Sequence, residues 1–177
     1  KHFSTLVMLL LLSTSAFATE YYVNAATGND QNNGKSETQA WQSLAKVSNT
    51  NFKAGDIILL ANGQEFKGSI EWSNISGSKS KPIVISSYFV SDRSMKPIIN
   101  AKDHLGGIVL INCSHIKIDG VTIVANGGKA PKKTKKGMRC GVLVTTSKAG
   151  VFQNISLENL EVKEVFYENP NFQRGKD

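Results

Sequence analysis

The stretches "SHIKIDGVTI" (Ser114 to Ile123) and "QNISLENLEV" (Gln153 to Val162) align without a gap. Ile116, Ile118, Val121 and Ile123 fall opposite Ile155, Leu157, Leu160 and Val162, with Asp119-Gly120 opposite Glu158-Asn159. Upstream, Gly107-Ile108-Val109-Leu110 matches Gly141-Val142-Leu143-Val144. The first match spans 39 residues (Ile116 to Ile155) and the second 34 (Gly107 to Gly141), so a unit of three short strands occurs twice and the variation sits in loops. Such a unit cannot close a core alone. Stacking copies of it brings the inward Ile, Val and Leu into register as continuous apolar columns. The breaks at Asp119-Gly120 and Glu158-Asn159 are then tight corners, where Gly and Asn supply the positive φ of the bend.

Working outward, the same style of short apolar run recurs at "SIEW" (69–72), "PIVISSY" (82–88) and "PII" (97–99), each bounded by turn residues. A sandwich or barrel would show hairpin turns and longer alternating strands. The expectation is an all-β chain, a right-handed parallel β-helix (a solenoid). One helix is expected, over residues 38–48, because Trp41, Leu44, Ala45 and Val47 fall near one face at helical spacing. It is placed to cap the first turn of the solenoid, which would otherwise expose unpaired backbone and the end of the core.

Residues 1–18 read as a secretory signal peptide: Lys1 and His2, the apolar run "LVMLLLL", then Ala16-Phe17-Ala18 with cleavage before Thr19. The apolar run is too short for a membrane span, which needs about 20 residues. An exported or cell-surface location follows, with no membrane anchor. Residues 19–177 form a single domain, expected as a monomer and as the front part of a longer β-helix, because nothing after Leu160 looks like a closing element. Cys113 and Cys140 could pair in an exported protein, although Cys113 lies in an apolar run that suits a buried free thiol. No CxxC, HExxH or His cluster supports zinc or haem, and His104 and His115 read as ordinary surface or turn residues.

Taken together, "YYVNAATGNDQNNGKSETQAWQSLAKV", "FKAGDIILLANGQEFKGSI", "SGSKSKPIVISSY" and "KPIINA" resemble the N-terminal segment of secreted bacterial right-handed parallel β-helix proteins, the pectate and alginate lyase-like group. The resemblance covers about residues 21–101 and implies a polysaccharide-degrading enzyme, most directly a lyase. A glycoside hydrolase or a non-catalytic carbohydrate-binding or adhesive protein on the same fold is the alternative. It carries over no catalytic residue.

Two candidate sites remain. Lys132, Lys133, Lys135, Lys136 and Arg139, with Lys129, account for much of the formal charge of +7 and could hold an acidic, uronate-containing polysaccharide; a solvated connector explains the same residues. Nucleic acid is a poor partner for this segment, which has no interleaved aromatics. Asn29, Asp30 and Asn32 offer oxygen ligands suited to Ca²⁺, and a turn held by side chain to backbone hydrogen bonds is the competing account.

Overall fold

Every strand pairing among the described residues is parallel, and the order in which the chain visits its sheets explains why. The computed structural model describes residues 18–90, 95–126 and 139–166. The signal sequence read over 1–18 lies, except for Ala18, outside them.

After β1 (Glu20–Val23), a 3-10 turn (Glu37–Gln39) and α1 (Leu44–Ser48), the chain enters three sheets in strict rotation. The first sheet takes β2 (Ile57–Ala61), β5 (Ile83–Tyr88), β8 (Ile116–Asp119) and β11 (Ile155–Glu158), with β1 on its outer edge. The second takes β3 (Glu65–Lys67), β6 (Ile98–Asn100), β9 (Thr122–Asn126) and β12 (Glu161–Phe166). The third takes β4 (Ile70–Ser73), β7 (Gly106–Ile111) and β10 (Cys140–Thr145). The fold is therefore all-β with parallel sheets and very little helix.

The columns read from the sequence are present in register. Ile58, Ile85, Ile118 and Leu157 follow one another across the first sheet. Phe66, Ile99, Ile123 and Val162 do so across the second. In the third, Ile70, Ile108 and Val142 stack beside Trp72, Leu110 and Val144. Away from the last turn these side chains are essentially solvent-free, which makes the columns the hydrophobic core. The corners also behave as the sequence implies: Gly120 has φ +72° and Asn159 φ +49°, while Asp119 stays partly exposed outside the core.

The single helix expected over 38–48 is not what forms. Ala40 is extended, Trp41 makes an isolated bridge to Val23, and only Leu44–Ser48 is α-helical. The Trp41 amide donates to the Tyr22 carbonyl (2.9 Å) and its carbonyl accepts from Asn24 (2.8 Å), so β1 takes the backbone groups that a continuous helix would need. Trp41, Leu44, Val47 and Phe52 still bury their side chains, with Tyr21 stacked on Trp41. No disulfide forms. Cys113 is buried and Cys140 half-buried, both as free thiols that burial pushes to higher pKa.

Candidate functional site

A polar concavity is built where three successive turns of the chain round the same corner, between the second and third sheets. Lys67 ends β3, and Gly68 donates its amide to the Asn100 carbonyl (2.9 Å), tying the first corner to the second. The second corner closes as a turn in which His104 donates its amide to Ala101 O (2.9 Å). From the third corner, Arg139 Nη1 donates to the carbonyls of Ala101, Lys102 and His104 (3.1 Å to the last). The 101–104 turn is thus held by a guanidinium from the following coil.

Two adjoining hollows, open to solvent, result. One, of about 350 Å³, is lined by Lys67, Gly68, Asn100, Lys102, Asp103 and His104. The other, of about 470 Å³, shares Lys67, Gly68 and His104 and adds Ser43, Ser48, Asn49 and Glu71 beside α1. His104 Nδ1 lies 3.4 Å from Glu71 Oε1, and Asn100 donates to Glu65 Oε1 at 2.9 Å. Carboxylates that accept, with ammonium and amide groups that donate, match the hydroxyl groups of a sugar, each of which can do both.

A second polar cluster lies on the outer side of β8 and β11. Lys117 reaches Glu158 (2.8 Å) and Asp119 (3.3 Å), and Asn159 donates to Asp119 (2.8 Å). The Asn159 bond, reinforced by Lys117, holds the Asp119 carboxyl below its ordinary pKa; the bonds from Lys117 and Ser156 do the same for Glu158, and those from Thr122 and Lys163 for Glu161. Burial pulls Asp30 upward, but hydrogen bonds from Ser43 and Gln42 outweigh it and leave that carboxyl lowered as well. These four carboxyl groups are stabilised as anions. A general acid requires the opposite shift.

Of the basic residues read from the sequence, Lys129, Lys132, Lys133, Lys135 and Lys136 lie outside the described residues. Arg139 is described, and its Nη1 is committed to main-chain carbonyls of the 101–104 turn. Of the residues read as calcium ligands, Asn29 and Asp30 have their side-chain oxygens engaged by protein donors. Asp30 accepts from the amides of Gln42 (2.8 Å) and Ser43 (3.0 Å) and from the Ser43 hydroxyl (2.6 Å). Asn29 Oδ1 accepts from the Gln31 amide (2.9 Å), while Asn32 donates its side-chain amide to Ala40 O (3.2 Å) and accepts from Trp41 Nε1 at its main-chain carbonyl (2.9 Å). Among the described residues no group of three or more His, Cys, Asp or Glu could hold a metal ion.

Ser43 is the N-cap of α1, so Asp30 fixes the cap by way of a neighbour. Its folded pKa lies below the unfolded value, so its stabilisation is complete above the ordinary carboxylate range and is lost as pH falls through the depressed value. Asp30→Asn should lower stability at neutral pH by about 1 kcal/mol, since the site is partly solvent-screened. Urea unfolding at pH 7 and pH 3 checks this: the gap between variant and parent should shrink in acid.

The hollow residues Lys67, Glu71, Asn100, Lys102, Asp103 and His104 carry no local sequence motif. Their only signal is spacing, because Glu71 and His104, or Lys102 and Arg139, sit one turn apart on stacked corners.

No protein-family model matches the chain. A lacto-N-biosidase of Bifidobacterium longum subsp. longum is 25% identical over 198 aligned positions, covering 86% of this chain and 12% of that protein. Among solved structures, the GH136 lacto-N-biosidase from Eubacterium ramulus superposes with a TM-score of 0.70 at 26% identity, over 83% of this chain and 27% of that one. The selenomethionine derivative of the same enzyme gives a TM-score of 0.69 at 24% identity. The chain therefore spans only about a quarter, or less, of the length of the proteins it is similar to.

Proposed function

We propose that this chain is the front portion of an exported glycoside hydrolase that acts on an oligosaccharide, with a lacto-N-biose-type unit as the first substrate to test. The observation that carries the reading is the match of 83% of the chain to a crystallised lacto-N-biosidase at 26% identity. The lyase on acidic polysaccharide expected from the sequence gives way to its hydrolase alternative, because these relatives bear the name of a glycosidase. The strict rotation through three parallel sheets supports a right-handed β-helix, since parallel crossover connections are right-handed in about 98% of cases. The 3-10 turn and α1 then serve as its N-terminal cap. Export rests on the "LVMLLLL" and Ala16-Phe17-Ala18 pattern.

Hydrolysis of a glycosidic bond commonly uses two carboxyl groups, one protonated to assist departure of the leaving oxygen and one ionised to act as nucleophile or base. Asp30, Asp119, Glu158 and Glu161 are all stabilised as anions, which suits them to the ionised role rather than to that of the acid. In this reading the polar hollow at Lys67, Asn100 and His104 contributes sugar-hydroxyl contacts. The test is to incubate the full-length protein with a nitrophenyl lacto-N-bioside and, in parallel, with pectate and alginate. Release of nitrophenol with intact disaccharide is expected, with no unsaturated uronate absorbance. Unsaturated products, or binding to a glycan array without cleavage of any member, would reject the hydrolase.

A further inference from the structure

Asp56, immediately before β2, is a buried acid without a countercharge. It is 5% exposed and accepts the Lys53 amide at Oδ2 (2.8 Å). Among the described residues no Lys, Arg or His side chain forms an ion pair with it. Its other oxygen, Oδ1, lies 3.3 Å from the main-chain nitrogen of Thr19. The Thr19 carbonyl accepts from the Ile57 amide (2.9 Å), and Glu20 is in register with Ile57, so the edge strand β1 fixes that nitrogen beside the carboxylate. Burial and the Asp56 charge together push the Tyr21 hydroxyl to higher pKa, so the carboxylate is felt by its neighbours inside the fold.

Thr19 is also the residue before which the Ala16-Phe17-Ala18 pattern sets the cut of the leader. We propose that removal of the leader makes the α-ammonium group of Thr19 the countercharge of Asp56, so that export processing completes an ion pair at the start of the coil. The inference rests on the export reading. A signal peptidase adds one water across the Ala18–Thr19 peptide bond. The C–N bond breaks, the water's oxygen bonds to the Ala18 carbonyl carbon, and its hydrogens end on the Thr19 nitrogen, leaving a carboxylate and an ammonium. A cation then stands where a main-chain amide stood, with β1 unmoved. Before the cut Asp56 has only neutral amide donors, and a buried carboxylate without an opposite charge is costly. Ala18 is exposed, so the uncut chain also fits, and what the cut changes at Asp56 is charge. The other charged or titratable groups of the adjoining elements are Glu20 and Tyr21 on β1, Lys53 before β2 and Lys81 beside Gly55, and they are the same in cut and uncut chains.

The test expresses the full-length protein with its own leader, reads its N-terminus by mass spectrometry, and compares it with the same protein N-acetylated at Thr19. At about pH 6.5 the free amine should raise the melting midpoint by several degrees. Pairing raises the folded pKa of the amine above its unfolded value of about 8, so the advantage is complete below that value and is lost as pH rises through the folded one. Asp56→Asn should remove the difference between the free and acetylated forms. Should that variant fail to fold, titration of the parent's α-amine decides alone, with proton binding about tenfold tighter than in the unfolded chain as the expected result. A protein that retains its leader would overturn the proposal together with the export reading. A cut at another bond, or a Thr19 terminus whose acetylation leaves the melting midpoint and its pH dependence unchanged, would overturn the pairing alone.

Discussion

Trp72→Ala should lower the unfolding free energy by about 3–5 kcal/mol, the range for removing a large aromatic side chain from a closed core. Trp72 lies on β4, is 1% exposed, and stacks over Leu110 of the next coil. Its ring is 5.4 Å from that of Phe52, and its indole N–H donates to the Val47 carbonyl (3.3 Å) at the end of α1. Truncation therefore opens a cavity between α1 and the coil and also removes one of the donors to the Val47 carbonyl, which keeps the Thr50 amide (3.3 Å). Trp72→Phe separates the two effects. It retains most of the apolar contact and should cost about 1–2 kcal/mol, chiefly for the lost hydrogen bond. Urea unfolding curves measure both. A loss below about 1 kcal/mol for Trp72→Ala would show that α1 does not seal this part of the core.

Gly28→Ala should be comparably damaging, at about 3 kcal/mol or more, for a steric reason. A Cβ at this position would lie 2.0 Å from the Trp41 carbonyl oxygen and 2.5 Å from that of Asn24. Both atoms are backbone, and both belong to the hydrogen-bonded crossing of Asn24, Gly28 and Trp41. Neither can move without breaking the bridge between Val23 and Trp41. Overpacking of this kind usually costs 1–3 kcal/mol, and a clash with fixed backbone lies at or above the top of that range. Gly120→Ala is the control. Its φ of +72° imposes a conformational penalty, but the nearest atom to an added Cβ is Ser87 Oγ at 3.9 Å, so about 1 kcal/mol is expected. Equal losses from the two substitutions would remove the steric explanation.

The two substitutions also mark where the sequence was readable and where it was not. Ile116 over Ile155 and Ile118 over Leu157 were visible as a repeat, and the structure pairs those residues in that register. The reason is that a strand's two faces alternate every residue, so an in-register repeat of apolar positions permits one stacking and forbids the slip that would turn it outward. The segment around Trp41 misled for the converse reason. Its apolar spacing fits a helix, yet its backbone bonds are taken by β1, which lies some twenty residues earlier and leaves no trace in the local pattern.

The polar hollow belongs to the second kind. Lys67, Asn100 and His104 meet because three coils turn the same corner, and Arg139 holds the middle turn from a third coil. Loop lengths between repeats differ, so a sequence position does not by itself say which corner residues become neighbours. Periodic apolar residues were sufficient, from the sequence alone, to determine the all-β class, the parallel stacking and the corners at Gly120 and Asn159, because burial acts on every repeat in the same way. Which backbone groups pair across the N-terminal segment, and which polar side chains share one hollow, only the tertiary structure decided, because each depends on contacts between residues far apart along the chain.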